Sequence, residues 1–197
     1  MRNDGTGRGT TDSAIVDAAR ELFAEHGYRT TTMTDIGSAV GIRGPSLYKH
    51  IASKQELLAT IMLGTMRALL RDQQAALAAG GDPGIRVRRM VEAHVRYHAS
   101  HRQEAFVGNR EIGSLTPENR TRVLTLRAEY EQTLRAVIEE GCRTQRFNVR
   151  SARLASYAIL DMGMGVSAWF RADGENSVDE VSYVYADQAL LLLGASD

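Results

Sequence analysis

Residues 31–51 read TTMTDIGSAVGIRGPSLYKHI and carry the strongest structural signal in the chain. Threonine before an apolar run caps a helix, so we predict a short helix over residues 33–40 that ends at Gly41. Proline is tolerated in the first turn of a helix, so a second short helix is predicted over residues 45–50. Two short helices joined by a tight turn that contains glycine form a helix-turn-helix pattern.

Helical periodicity extends outward from this pattern through the rest of the chain. Apolar residues recur at helical spacing, and the three prolines stand at positions 45, 83 and 117, where helices could begin. We therefore predict an all-α fold with about nine helices. The predicted helices cover residues 11–25, 33–40, 45–50, 54–79, 85–101, 103–112, 117–140, 151–170 and 178–193.

Composition excludes several classes of protein. The 197 residues hold 24 Lys and Arg against 24 Asp and Glu, and this zero net charge excludes a histone-like polybasic protein. Apolar residues make up 43% of the chain, which excludes complete disorder. The single cysteine, Cys142, excludes a disulfide scaffold and fits a reducing compartment. No apolar run is long enough to cross a bilayer and no secretory signal is visible, so we expect a cytoplasmic protein without a membrane partner.

Motifs of the common enzyme classes do not occur. Residues 162–165 read MGMG but lack the preceding strand and the third glycine of a dinucleotide-binding fingerprint. The sequence has no Gly-x-Ser-x-Gly motif and no phosphate-binding loop. We therefore predict neither catalytic activity nor a cofactor.

Several segments around the helix-turn-helix pattern are specific to one family. They are IVDAARELFAEHGY at residues 15–28, TTMTDI at 31–36, VGI at 40–42, SLYKHI at 46–51 and SKQELL at 53–58. At this spacing the chain resembles the TetR family of transcriptional regulators over residues 11–60. The resemblance implies a three-helix DNA-binding domain over residues 11–55 and a helical effector-binding and dimerisation domain over residues 56–197, after a flexible tail over residues 1–10.

The recognition segment, residues 42–54, has the charge that DNA binding needs. It contains Arg43, Lys49 and Lys54 and no acid, so its local charge is +3. Arg43 and Lys49 can donate hydrogen bonds to guanine edges or to phosphates. Close approach to the groove and short-range contacts are predicted for Gly44, Pro45, Ser46 and His50.

Further DNA contacts follow from the resemblance. It implies that Tyr48 and Lys54 clamp the DNA backbone and that the hydroxyls of Thr32 and Thr34 hold phosphates. The alternatives are that Tyr48 only packs against the protein and that Lys54 and Thr34 only cap helices.

A homodimer is expected, because helix-turn-helix proteins gain affinity as dimers on the two halves of a palindromic double-stranded operator. The resemblance places the dimer interface on the last two helices. The predicted interface residues are Leu154, Tyr157, Asp161, Gly165, Val181, Val184, Tyr185, Gln188 and Leu192. The alternative is that these side chains form the core of a single chain.

A ligand cavity among the central helices is also implied by the resemblance. Its candidate lining combines soft apolar groups with a few polar ones: Met62, Met66, Met90, His94, Tyr97, His98, Phe106, Asn109, Arg110, Tyr130, Met162 and Trp169. Methionine is an adaptable filler, so ordinary core is the alternative. Residues 94–98, 108–111 and 169–174 resemble a TetR subgroup tied to fatty acid metabolism, which implies a small apolar effector that is acyl-CoA-like.

A different function is suggested by three histidines on one helix face. His94, His98 and His101 are spaced i, i+4 and i+7, and two histidines at i, i+4 can share a metal ion. This spacing supports an alternative hypothesis of a metal-sensing or metal-binding helical protein. No cysteine or paired carboxylate lies nearby in sequence to complete the ligand set, so no metal site is predicted.

Overall fold

The computed structural model describes residues 5–195, and all the regular structure in that part is helical. It contains nine α-helices, which confirms the predicted all-α class. They are α1 (Gly5–His26), α2 (Met33–Ala39), α3 (Gly44–Leu47), α4 (Lys54–Ala78), α5 (Pro83–Ser100), α6 (Arg102–Arg110), α7 (Pro117–Arg143), α8 (Ala152–Trp169) and α9 (Val178–Leu192). A 3₁₀ turn, Ile112–Ser114, lies between α6 and α7.

The helix-turn-helix unit is held together by a capped helix and a small apolar core. Thr32 and Asp35 form a capping box at the start of α2, so each side chain satisfies the other's backbone amide. Ile36 on α2 and Leu47 on α3 are fully buried with Ile15 of α1. Burial of each such side chain stabilises the fold by about 1.5–3 kcal/mol, and together they fix α3 relative to α1 and α2.

The two parts of the molecule are joined by one continuous helix. Ser53 caps α4, and Leu57 and Leu58 near its start belong to the same core as α1. Further along, α4 packs against α5 and α7. A displacement at one end of this continuous helix can therefore reach the part of the molecule at its other end.

The second part is organised around α5, which packs against α4, α7, α8 and α9. Asp82 caps this helix and Pro83 occupies its first turn, as proline can. The short helix α6 packs against α1 as well as against α4 and α8. It therefore belongs to the second part but contacts the first.

Two helices extend beyond their predicted ends. Gly5–Thr10 are helical where the sequence predicted a flexible tail, because a helix nucleated by packed residues adds further hydrogen-bonded residues at little cost. Residues 1–4 lie outside the described part. The helix α7 was predicted to end at Gly141 but continues to Arg143. Gly141 lies inside the helix, and its missing side chain leaves room for the ring of Phe147, which a Cβ would overlap.

The helix α3 is shorter than predicted. It ends at Leu47 rather than at His50. The amides of Lys49 and His50 donate to carbonyls three residues back, at 3.2 and 3.0 Å, so the chain tightens into a 3₁₀-like turn before α4.

Within residues 5–195, no helix has both the length and the apolar character needed to cross a membrane.

Candidate DNA-binding surface and ligand cavity

An exposed surface surrounds the start of α3. Its members share high exposure and are Thr34, Arg43, Gly44, Pro45, Ser46, Tyr48 and Lys49. We call these residues the α3 surface. The side chain of Tyr48 is 56% exposed, which argues against the alternative that it only packs against the protein. The α3 surface presents two cations, two hydroxyl groups on short side chains and a phenol to a partner outside the molecule.

Two side chains that were predicted to contact DNA, those of Thr32 and His50, form hydrogen bonds within the protein. The hydroxyl of Thr32 donates to Asp35 at 2.7 Å and accepts from its amide at 3.2 Å, so its only hydrogen is already used. Nδ1 of His50 lies 2.7 Å from a carboxylate oxygen of Asp12, which can only accept when ionised. Both side chains therefore form hydrogen bonds within the protein, and the prediction that they contact DNA stays a prediction.

Lys54 likewise acts within the protein. Its ammonium donates to the backbone carbonyls of Tyr28 and Thr31 at 2.8 and 2.7 Å and lies 4.4 Å from the centre of the Tyr28 ring. These contacts fix the loop between α1 and α2, and the role of Lys54 as a clamp on the DNA backbone stays a prediction. These hydrogen bonds of Lys54 could not be predicted from the residues at the start of α4, because the acceptors lie more than twenty residues earlier in the chain.

Replacing Lys54 with methionine is expected to lower the free energy of unfolding by about 1–3 kcal/mol, since hydrogen bonds to a charged group are lost. Chemical denaturation measures the change. The matched control is Arg43→Met, which removes an exposed cation and should leave stability unchanged. Equal stability of the Lys54→Met variant and the wild type would contradict this role for Lys54.

A cavity of about 260 Å³ lies between α4, α5, α6, α7 and α8. Half of the predicted lining residues line it: Met62, Met66, His94, His98, Asn109 and Tyr130. The other six do not line it. Four of them, Tyr97, Phe106, Arg110 and Met162, adjoin a lining residue in sequence and lie on another side of their helix. Met90 and Met162 pack in or against the core around α5, Tyr97 is buried against α4, Phe106 lies beneath the guanidinium of Arg110, and Trp169 is exposed at the end of α8.

The sequence interpretation missed several lining residues. They are Thr65, Leu69, Ala105, Gly108, Val123, Arg127, Glu131, Leu160 and Met164. Many repeat at helical spacing from residues that were predicted, such as Leu69 after Met66 and Arg127 before Tyr130. Tyr157 and Asp161, predicted for the dimer interface, also line the cavity and are exposed at its rim.

His94 is a fully bonded histidine in the cavity wall. Its Nε2 lies 3.1 Å from the carbonyl oxygen of Leu160, and its Nδ1 lies 3.0 Å from the hydroxyl of Tyr130. A carbonyl only accepts, so Nε2 carries the proton and Nδ1 accepts from Tyr130. Burial lowers the pKa of His94 to about 4, so the ring is neutral. Gly163 makes this approach possible, because a Cβ there would overlap the imidazole.

His98 differs from its neighbour. It is 3% exposed, and neither of its ring nitrogens has a hydrogen-bond partner among the described residues. Its ring centre lies 4.5 Å from that of His94. Burial lowers the pKa of His98 to about 2, with smaller contributions from His94, Arg127 and His101, so this ring is neutral as well.

An exposed apolar face covers parts of α8 and α9. Leu154 and Leu191 are 67% and 79% exposed, and Tyr157, Trp169, Val184 and Leu192 are also exposed. Of the other predicted interface residues, Asp161, Gly165 and Gln188 are exposed, and Tyr185 is half-buried with its ring 6.3 Å from that of Trp169. Val181 is buried in the protein's own core, although helical spacing places it on the same side of α9 as Val184, Tyr185 and Gln188.

Two family models match the chain. The model described as bacterial regulatory proteins of the tetR family matches residues 15–61. The model described as the tetracyclin repressor-like C-terminal domain matches residues 80–193. The chain belongs to the TetR family.

Known TetR proteins are similar along nearly the whole chain. The transcriptional repressor KstR2 of Rhodococcus jostii strain RHA1 is 28% identical over 185 residues, which cover 93% of this chain and 91% of the relative. The structure of a tetR-family regulatory protein from Rhodococcus RHA1 matches with a TM-score of 0.90 at 29% identity, covering 95% of this chain and 98% of that one. AibR, solved with isovaleryl coenzyme A and operator DNA, shares the fold with a TM-score of 0.83 at 21% identity, covering 94% of this chain and 100% of that one.

The molecule is thus a TetR-family transcriptional regulator, and its relatives are regulators rather than enzymes. The alternative of a metal protein is not supported. Both nitrogens of His94 are bonded, and the ring of His101 stacks on Tyr97 with centres 4.4 Å apart. Across residues 5–195, no group of three or more His, Cys, Asp or Glu side chains could hold a metal ion.

The helix α6 connects the cavity of this TetR protein to its DNA-binding part. Gly108 lines the cavity, and Glu104, on the same helix, accepts from Arg20 of α1 at 3.1 Å. Just after α6, Glu111 accepts from the amide of Tyr28 at 3.3 Å. The helix α6 therefore lines the cavity on one side. On its other side it contacts α1 and the loop after α1, which support α3.

Gln55 provides a second connection. Its side-chain amide donates to the hydroxyl of Tyr28 at 2.7 Å and to the carbonyl of Ser114 at 2.5 Å, and its oxygen accepts from the amide of Thr116 at 3.0 Å. Gln55 thus bonds the start of α4 to the segment between α6 and α7.

Proposed function

We propose that this TetR-family regulator is a homodimeric repressor that binds a palindromic operator and releases it when a small apolar effector enters the cavity. The observation that supports this most strongly is the position of α6, which lines the cavity and contacts α1. An effector that favours one position of α6 shifts the population between two spacings of the DNA-binding units. The same proposal includes a DNA-binding domain over residues 11–55 and an effector-binding and dimerisation domain over residues 56–197. It also includes a cytoplasmic location, where the operator lies.

The operator is contacted by the α3 surface. Arg43 and Lys49 donate to guanine edges or phosphates, while Gly44 and Pro45 allow the helix start to enter the major groove. Tyr48 and Thr34 are exposed beside them and contact the DNA backbone. Thr32, His50 and Lys54 support this surface from within.

The effector is small and largely apolar. The cavity of about 260 Å³ is slightly smaller than the range of about 300–1,000 Å³ that is typical of small-molecule sites. Methionine and leucine side chains such as Met62, Met66 and Leu69 supply most of its apolar wall. An acyl-CoA fits this proposal only if the acyl group enters and the nucleotide stays outside. AibR, which shares this fold, was solved in complex with isovaleryl coenzyme A and operator DNA.

The homodimer forms through the apolar face of α8 and α9. Several large apolar side chains are exposed there in one chain, and such contiguous patches on soluble proteins mark interaction surfaces. Gly165 is open around its Cβ position, so a partner helix can approach closely. A two-fold axis through this face matches the symmetry of a palindromic operator.

Selection from a pool of random duplexes tests the proposed function. The wild-type protein is expected to enrich a palindrome, and Arg43→Ala or Lys49→Ala should lose about 1–3 kcal/mol of binding free energy and relax the base preference. Fluorescence anisotropy at fixed salt measures the affinities. Leu124→Ala, an exposed site on α7, is the matched control and should bind like the wild type. Recovery of no common sequence would contradict the proposal.

A further inference from the structure

One polar side chain in the cavity has hydrogen-bonding capacity that the protein leaves unused. His98 is almost completely buried, and both of its ring nitrogens lack a partner among the described residues. Buried polar atoms are paired in the great majority of cases, because an unpaired one keeps the full cost of leaving water. A histidine that serves only the fold would be bonded as His94 is.

Several groups near His98 are already bonded elsewhere in the protein. His94 is held between Tyr130 and the Leu160 carbonyl, and the hydroxyl hydrogen of Tyr130 is committed to His94. A guanidinium nitrogen of Arg127 donates to the carbonyl of Gly108 at 2.8 Å. A molecule in the cavity can supply the partner that His98 lacks.

The charge of the cavity constrains that molecule. Its charged lining consists of one cation, Arg127, and two acids, Glu131 and Asp161, and Glu131 faces Arg135 at 3.7 Å, so an anion meets no excess of positive charge. Burial keeps His98 neutral, with one N–H donor and one acceptor nitrogen. A neutral imidazole in an apolar site pairs best with a neutral group that accepts or donates a hydrogen bond.

We propose that His98 is the specificity-determining residue of the cavity and that the effector carries a neutral hydroxyl or carbonyl group on an otherwise apolar body. This inference rests on the proposed function, since it names the chemical class of the effector. The hydroxyl or carbonyl group meets the ring of His98, and Met62, Met66 and Leu69 contact the apolar body. A plain hydrocarbon leaves His98 unpaired and binds more weakly. A carboxylate leaves water for a largely apolar site without an excess of positive charge and also binds more weakly.

Three probes with the same ring body separate these cases. They are 2-naphthol, naphthalene and 2-naphthoate, and binding of each to the full-length protein is measured by calorimetry without DNA. The wild type should bind 2-naphthol about tenfold more tightly than naphthalene, as expected for pairing one buried polar group. Naphthoate should bind most weakly. The His98→Leu variant should lose the preference for naphthol, and His98→Gln, which keeps a donor and an acceptor, should retain part of it.

Thermal unfolding distinguishes a ligand-binding histidine from a structural one. His98→Leu removes an unpaired polar group and should unfold at a temperature no lower than that of the wild type. His94→Leu breaks two hydrogen bonds and should unfold at a lower temperature. If naphthol and naphthalene bind equally to the wild type, if neither binds, or if naphthoate binds best, the inference is overturned. An unchanged preference in both His98 variants would overturn it as well.

Failure of this inference can be told apart from failure of the proposed function. The probe titrations contain no DNA, so they report only on the cavity. Selection from random duplexes contains no probe, so it reports only on operator binding.

Discussion

We expect replacement of both Leu154 and Leu191 with glutamate to convert the proposed dimer into a monomer and to lower operator affinity by about 10²–10⁴-fold. These two side chains are the most exposed large apolar groups on α8 and α9. In a two-fold interface each residue faces the partner, so one substitution places a charge on both sides of the contact. A buried and unpaired carboxylate is costly, whereas the folded monomer keeps both glutamates in water.

Light scattering after size-exclusion chromatography measures the assembly, and anisotropy measures operator binding. Leu124→Glu is the matched control, because it introduces the same charge at an exposed leucine on α7. That variant should remain dimeric and bind the operator. A Leu154→Glu, Leu191→Glu protein that is still a dimer would show that the subunits meet elsewhere.

Helical periodicity and caps were sufficient to predict the architecture. Prolines 83 and 117 stand in first turns, and Ser53, Ser151 and Ser177 cap helices as their position before an apolar run suggests. The errors have local physical causes. Gly141 looked like a helix stop, but its missing side chain serves the packing of Phe147. A glycine signals either a turn or a close approach, and only the tertiary structure distinguishes the two.

The recognition segment could be found from its sequence, but the roles of its polar residues could not. Arg43 and Tyr48 are exposed as a DNA contact requires. His50 and Lys54 have the right chemistry for DNA, yet their partners are Asp12 and the carbonyls of the loop after α1. Those partners lie more than twenty residues away in sequence, so no local pattern reveals them.

The cavity was the least predictable part. Spacing identifies which residues share a helix face, but which face turns toward the cavity depends on how five helices pack together. His94 and His98 are one helical turn apart and have the same chemistry. Only their surroundings separate the bonded histidine from the unpaired one.

Filling the cavity from α6 should reproduce the effect of an effector. Gly108 is buried and lines the cavity, and a Cβ at this position would have open space around it. In the Gly108→Phe variant the ring occupies the effector's volume and shifts α6, which contacts α1 through the ion pair between Glu104 and Arg20. We expect operator affinity to fall by about 5–150-fold, the usual range for coupling between two sites.

The matched variant is Gly108→Ala, which makes the same backbone change and adds only a methyl group. It should bind both the operator and 2-naphthol like the wild type. The Gly108→Phe variant should exclude 2-naphthol, remain dimeric and unfold cooperatively, so that a loss of DNA binding cannot be attributed to a loss of structure.

Operator affinity of the Gly108→Phe and Gly108→Ala proteins, compared at one salt concentration by anisotropy, is the most direct test of the coupling between cavity and DNA. We expect weak binding by the phenylalanine variant and wild-type binding by the alanine variant. A folded, dimeric Gly108→Phe protein that excludes 2-naphthol but binds the operator as tightly as the wild type would contradict this coupling.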